Sequence, residues 1–156
     1  MIRGRERRDN RSQEDKEFEQ RVVDLARVTR VTKGGKRMRF RALVLVGDGK
    51  GRIGFGVGKG ADVSVSTGKA FLRAKKAIRT IVIKRETIPY EVRAKFGAAY
   101  IMMKPAPLGT GIKAGGPMRI VFELAGVPNV VGKILGTSKN KLNIIKATFA
   151  AIAQLK

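Results

Sequence analysis

The sequence has no cysteine, no histidine and no tryptophan. Without cysteine there is no disulfide, no thiol nucleophile and no thiolate zinc site. Without histidine the commonest general base and the commonest transition-metal ligand are missing, which removes most hydrolase triads and metalloenzyme sites. Carboxylates are scarce too: 12 Asp and Glu stand against 34 Lys and Arg. No apolar run approaches the ~20 residues a membrane-spanning helix needs. No apolar segment follows the basic start, so the N-terminus does not read as a secretory signal. Glu6, Asp9, Glu14 and Asp15 do not suit an acid-poor transit peptide. The expectation is a cytosolic protein that is not an enzyme and has no metal and no cofactor.

What is there is a strongly basic chain with the apolar content of a folded one. Its 156 residues suffice for one domain or two small ones, and 43% apolar residues is ordinary for a globular protein. The net charge is +22. Self-repulsion of that size weakens a compact state unless a polyanion neutralises it, and nucleic acid is the natural one. Residues 1–24 hold seven basic and seven acidic side chains, so the whole excess falls on the part patterned to fold.

The chain is organised around residues 27–59. From Arg37 to Ala42 the residues alternate strictly, which puts Arg37, Arg39 and Arg41 on one strand face and Met38, Phe40 and Ala42 on the other. Gly34-Gly35 sits where a hairpin turns, and Asp48-Gly49-Lys50-Gly51 is a second turn. Three β-rich runs, 21–32, 37–46 and 52–57, thus form an antiparallel meander with a narrow basic finger at 33–37. Ordinary solvated strand faces mix charge signs, because like neighbours repel. Here no acidic residue lies between Asp24 and Asp48, which points to a polyanion-binding face.

Residues 1–20 are charged, mixed in sign and nearly without apolar side chains. They read as an extension that is disordered alone or orders on a partner, or as an exposed helical arm. In the third strand Gly54 and Gly56 share one face. Bare glycine faces admit either a ligand or a helix of the same domain. A helix should follow, capped by Asp62, Ser64 or Ser66, with Phe71, Ala74, Ile78 and Ile81 packed on the meander. Lys69, Arg73 and Lys76 line another side of it. Residues 84–95 read as a connector with room for a short strand, and the domain boundary falls near Lys84 and Arg85. The second half reads β-β-α-β-α: a strand at 98–103, a glycine-rich loop at 104–117, and a helix at 117–125 ended by Gly126. A strand at 129–135 and a last helix capped by Ser138 follow, with Leu142, Ile145, Phe149 and Ile152 on its apolar side. The fold class is α+β.

Gly49-x-Gly51-x-x-Gly54 matches a dinucleotide fingerprint by letters only, since it runs from a turn into a strand and not from a strand into a helix. Gly58-Lys59 lacks the flanking residues of a Walker loop. The loop from Gly109 to Gly116 resembles the glycine-rich loop of small-molecule kinases with a similar α+β topology. A phosphotransferase, however, needs carboxylates for Mg²⁺, and only Glu86, Glu91 and Glu123 occur in this half. An ordered turn, or a contact to RNA phosphate or protein, suits the loop better. The seven Phe and two Tyr fall mostly at core-periodic positions, which argues against a reader of single strands.

The run Val46-Gly-Asp-Gly-Lys-Gly-Arg-Ile-Gly-Phe-Gly-Val-Gly-Lys59 resembles the signature of the bacterial small-subunit ribosomal protein S-five family. So do Lys33-Gly34-Gly35, Pro105 with Gly109-Thr110-Gly111, Ala114-Gly115-Gly116, the run from Glu123 to Val127, Gly136-Thr137-Ser138, and Asn143 with Ala147-Thr148. The match is collinear over about residues 21–156. The helix start at 60–68 and Ser138-Lys139-Asn140-Lys141 depart from the usual pattern. The resemblance implies a domain like a double-stranded-RNA-binding fold over 21–84 and an α+β sandwich over 85–156. It implies 16S-type rRNA, ribosomal proteins S-four and S-eight, and mRNA at the entry channel as partners, with influence on decoding accuracy. It places Val31, Thr32, Lys33, Gly34 and Gly35 near the spectinomycin site and Gly109, Thr110, Gly111 and Arg119 toward protein S-four.

The RNA contacts expected on these grounds are Arg27, Arg30, Lys33, Gly34, Gly35, Lys36, Arg37, Arg39, Arg41, Lys50, Arg52, Gly54, Gly56 and Lys59 on the meander. Lys69, Arg73 and Lys76 join them from the helix. A free RNA-binding regulator of the same fold and the phosphotransferase are the rival readings.

Overall fold

A computed structural model describes residues 17–155; the expected N-terminal extension lies outside them up to residue 16. Strands β1 (Glu19–Thr32), β2 (Gly35–Gly47) and β3 (Arg52–Gly60) form the antiparallel meander, and a two-residue β4 (Arg79–Thr80) pairs with the start of β3. Helix α1 (Val63–Lys76) lies across one face of this sheet. Asp62 caps it, accepting from the Val63 N–H at 2.7 Å and from the Ser64 hydroxyl at 2.8 Å.

The packing of α1 settles what the bare glycine face is for. Pairing sets Val46, Val44 and Ala42 of β2 opposite Gly54, Gly56 and Gly58 of β3. A Cβ on those glycines would run into the carbonyl oxygens of Ala74, Ala70 and Ser66. The buried side of the helix is equally small, being Ser66, Ala70 and Ala74. The expected roles are corrected accordingly. Gly54 and Gly56 lie beneath α1 and cannot meet RNA. Ala74 and the half-buried Phe71 pack on the meander as expected, while Ile78 and Ile81 lie past the end of the helix, Ile81 in the main core.

The second half contains β5 (Val92–Phe96), β6 (Ala99–Pro105), β7 (Ile112–Lys113), α2 (Gly116–Ala125), β8 (Val130–Ile134) and α3 (Lys141–Ile152). The strand order is β5-β6-β8-β7, with β7 parallel to β8 and the rest antiparallel. Pro117 opens α2, and Gly126 closes it at φ 71°, a left-handed conformation that glycine adopts without a Cβ clash. The cap of α3 is Asn140, whose side chain accepts from the N–H groups of Leu142 and Asn143; Ser138 instead accepts from the N–H of Asn140. This corrects the expected cap by two residues.

Helices α2 and α3 sit between the two sheets. Their inner residues, among them Met118, Val121, Phe122, Ile145 and Phe149, join Leu43, Leu45 and Ile53 of the first sheet and Ile101 and Met103 of the second in one core. Phe55 meets Phe149 edge to face at 4.7 Å. Two ion pairs tie β1 to these helices: Arg21 to Glu123 at 2.7 Å and Asp24 to Lys141 at 3.1 Å.

The turn between β2 and β3 completes the join. The N–H groups of Gly49 and Gly51 donate to the carbonyls of Leu124 and Ala125, at 3.0 and 2.8 Å, where α2 leaves its last acceptors unpaired. The turn is held by Asp48, whose side chain is 3% exposed and accepts from the backbone of Lys50 and Arg52 and from the Arg52 guanidinium. Burial alone would raise the Asp48 pKa. The hydrogen bond from Arg52 and the two backbone donors outweigh it and hold the carboxyl below its ordinary value of 3.8. The stability this adds is therefore full above about pH 4 and is lost as pH falls through the lower folded value. An Asp48→Ala chain is expected to lose about 2–3 kcal/mol at neutral pH. Urea titration at descending pH should show the gap to the unmutated chain closing below pH 3.8.

Candidate nucleic-acid interface

The first two strands outrun the rest of their sheet. β3 pairs with β2 only as far as Phe40–Gly60, whereas β1 and β2 continue to Thr32–Gly35. Five residues of free ribbon at ~3.4 Å each project about 17 Å past the sheet. Lys33 and Gly34 make the tip, one residue earlier than the expected Gly34-Gly35 turn, and Gly35 opens β2 with a positive φ of 137°. Nothing stands within 4 Å of a Cβ placed at Gly34 or Gly35, so the tip is slender and open.

Register sorts the cations. Val28 faces Arg39, Arg30 faces Arg37 and Ala26 faces Arg41, which in turn faces Lys59 of β3. Residues paired across antiparallel strands point to the same side. Arg30, Arg37, Arg39, Arg41 and Lys59 therefore share one face. Arg30, Arg37, Arg39 and Lys59 line a shallow depression of about 580 Å³ there. Asp24 is the counter-charge at its inner end, 3.6 Å from Arg41. Arg27 and Lys36 fall on the opposite face, with Thr29, Val31, Met38 and Phe40. Alternation places Met38 on this face as expected, but no core covers it there: Met38 is 56% exposed and Val31 73%. The ribbon has left the core behind by that point.

The other expected contacts are elsewhere. Lys50 and Arg52 sit at the opposite end of the sheet, roughly 40 Å from the tip by the rise of β2. The Arg52 guanidinium bonds Asp48 at 2.6 Å and lies 5.2 Å from the centre of the Phe18 ring. Lys69, Arg73 and Lys76 are exposed on α1, and Arg73 donates at 2.6 Å to the carbonyl of Val57, closing an open stretch of the β3 edge. None of these joins the ribbon's arginine face.

The glycine-rich loop is an ordered turn. Gly109 and Gly111 have φ of 83° and 73°, which favour glycine. Buried Asn129 accepts from the Gly111 N–H, and Thr87 accepts from the Ala106 N–H while donating to the Asn129 carbonyl at 2.6 Å. Arg119, on α2, pairs with Glu123 at 3.0 Å beside Arg21. Sequence reading missed Asn129 and Thr87 as the loop's anchors, and the pairs of Glu123 with Arg21 and Asp24 with Lys141. No local signal links residues about a hundred positions apart.

A basic meander backed by one helix is fused through a shared core to an α+β sandwich, a two-sheet α+β architecture with a projecting cationic ribbon. Residues 18–82 match the family description "Ribosomal protein S5, N-terminal domain", and residues 94–156 match "Ribosomal protein S5, C-terminal domain". The chain is 48% identical over 141 residues to the small ribosomal subunit protein uS5 of Treponema pallidum, with the same figures for two strains of that organism, one of them Nichols. Those alignments cover 90% of this chain and 81% of each relative. The chain belongs to the ribosomal protein S5 family.

Proposed function

We propose that the chain is a structural component of the small ribosomal subunit in the cytoplasm, and that it binds 16S-type rRNA through the projecting ribbon. The observation that carries this reading is the free hairpin itself, with Arg30, Arg37, Arg39, Arg41 and Lys59 on one face and a tip without side-chain bulk. Duplex RNA is recognised mainly by shape and by backbone and 2′-OH contacts. A slender ribbon can enter between two RNA helices and neutralise phosphates on the side its guanidiniums occupy. Arg52 has an intramolecular partner and Gly54 and Gly56 are covered, so none of the three belongs to this interface. Lys69, Arg73 and Lys76 form a separate cationic stripe on α1 that suits a second backbone contact.

The finer roles rest on the family resemblance. The tip residues Val31, Thr32, Lys33, Gly34 and Gly35 stand near the spectinomycin site. The loop at Gly109, Thr110 and Gly111, with Arg119, faces protein S-four, and protein S-eight is a further neighbour. The assembled protein helps form the mRNA entry channel and influences decoding accuracy. We place the domain boundary near Lys84 and Arg85, a reading supported by the turn in which Arg85 and Glu86 have φ of 50° and 61°. Sedimentation through a sucrose gradient tests the main proposal: the full chain should travel with small subunits at physiological salt. If it stays at the top of the gradient and binds only isolated duplexes, the reading of a free RNA-binding regulator replaces it.

A further inference from the structure

The second sheet has one covered face and one bare face. α2 and α3 bury Val92, Ala94, Ile101 and Met103, and a Cβ on Gly132 would meet the Met118 and Phe122 side chains. Alternation sends their neighbours outward. The register sets these outward residues in rows across the sheet: Lys95 beside Tyr100, Arg93 beside Met102 beside Lys133, and Lys104 beside Val131 beside Lys113. No helix among the described residues covers them. The inner strand β6 thus carries an aromatic and a thioether; cations flank Met102 on both sides, while Tyr100 has Lys95 on one side and the exposed Leu135 on the other.

The charges on this face are one-sided. Five cations, Arg93, Lys95, Lys104, Lys113 and Lys133, stand with one carboxylate, Glu91, among the described residues. Glu91 bonds Arg93 at 2.9 Å and Lys104 at 3.1 Å, fixing both at one edge and leaving the field positive. Tyr100 is 36% exposed in the middle of it. Tyr100 is an exception to the expectation that the aromatics fall mostly at core-periodic positions, because the strand is buried on one side only.

We infer that the bare face of the second sheet binds an unpaired stretch of RNA, with one base stacked on Tyr100, its neighbour against Met102, and phosphates on the flanking lysines. An aromatic on an open sheet among cations is the arrangement by which sheet surfaces hold single strands, since every base offers a π-face. A flat sheet has no projecting element to enter a duplex groove. An acidic protein would be met by the charge but would make no use of the exposed face of the tyrosine ring.

This surface is independent of the ribbon, so the test uses the full-length Arg30→Ala, Arg37→Ala, Arg39→Ala chain as background. Fluorescence anisotropy with a labelled single-stranded RNA decamer of mixed sequence should show retained binding in that background. Adding Tyr100→Ala should weaken it roughly 5- to 100-fold, whereas Tyr100→Phe should keep it. Lys95→Gln with Lys133→Gln should reduce the salt slope by about 1.4. A decamer carrying 4-thiouridine should photocrosslink to the peptide holding Tyr100. The inference is overturned if Tyr100→Ala leaves single-strand affinity unchanged, if crosslinks map elsewhere, or if polyglutamate displaces RNA as well as RNA does. The last result would mark an acidic-protein surface instead. Duplex binding by the unmutated chain, lost in the triple background, reports on the ribbon separately.

Discussion

A Gly56→Val chain should accumulate as insoluble protein, and what remains soluble should be destabilised by about 4 kcal/mol or more. The added carbons fall on the Ala70 carbonyl, which belongs to the backbone of α1 and cannot rotate aside. Relief requires lifting the helix from the sheet, which opens the small core of Ala42, Val44, Val46, Ala70 and Ala74. Gly34→Ala is the matched control, since nothing surrounds that position; its midpoint should shift by no more than about 0.5 kcal/mol equivalent. Urea unfolding of both variants checks the pair. Equal midpoints would mean that α1 does not rest on the glycine face.

Removing Arg30, Arg37 and Arg39 together should weaken binding to small-subunit rRNA about 100-fold near 0.1 M salt, and lower the slope of log affinity against log salt by about 2–3. Each guanidinium that neutralises one phosphate releases counterions, and three such contacts give that slope change. Fold stability should hold, because these side chains lie on the exposed ribbon beyond the core. Lys50→Ala, at the far end of the sheet, should leave the slope unchanged. A Lys50→Ala effect equal to that of the triple variant would move the interface to the β2–β3 turn.

Periodicity made the meander, the last two helices and the basic finger legible from the residues alone. It caught α1 only in part, for a physical reason: a helix packed close on glycines buries small side chains, so Ser66 and Ala70 join the expected Ala74 in the contact, with half-buried Phe71 packed against its rim. A search for large apolar residues at helical spacing passes over Ser66 and Ala70. Strict alternation at 37–42 gave the arginine face correctly, yet it could not show where the core ends along the strand. That depends on β3 stopping at Gly60. Asn140 and Ser138 are equally good capping types, and only the geometry of the last turn separates them. Arg52 looked like one cation among many because its partner Asp48 read merely as a turn residue.

The shared core also has a consequence for how the chain is made. Leu43, Leu45 and Ile53 are covered by α2 and α3, whose residues are synthesised well after those of β3. At ~5–20 residues per second, translation leaves that sheet face uncovered for seconds to tens of seconds after β3 emerges. The first half thus waits, apolar on one side and strongly cationic at its tip, for the second half to arrive. Vectorial synthesis sets the interval in which a chaperone, or the nascent chain's own RNA target, has to guard against aggregation.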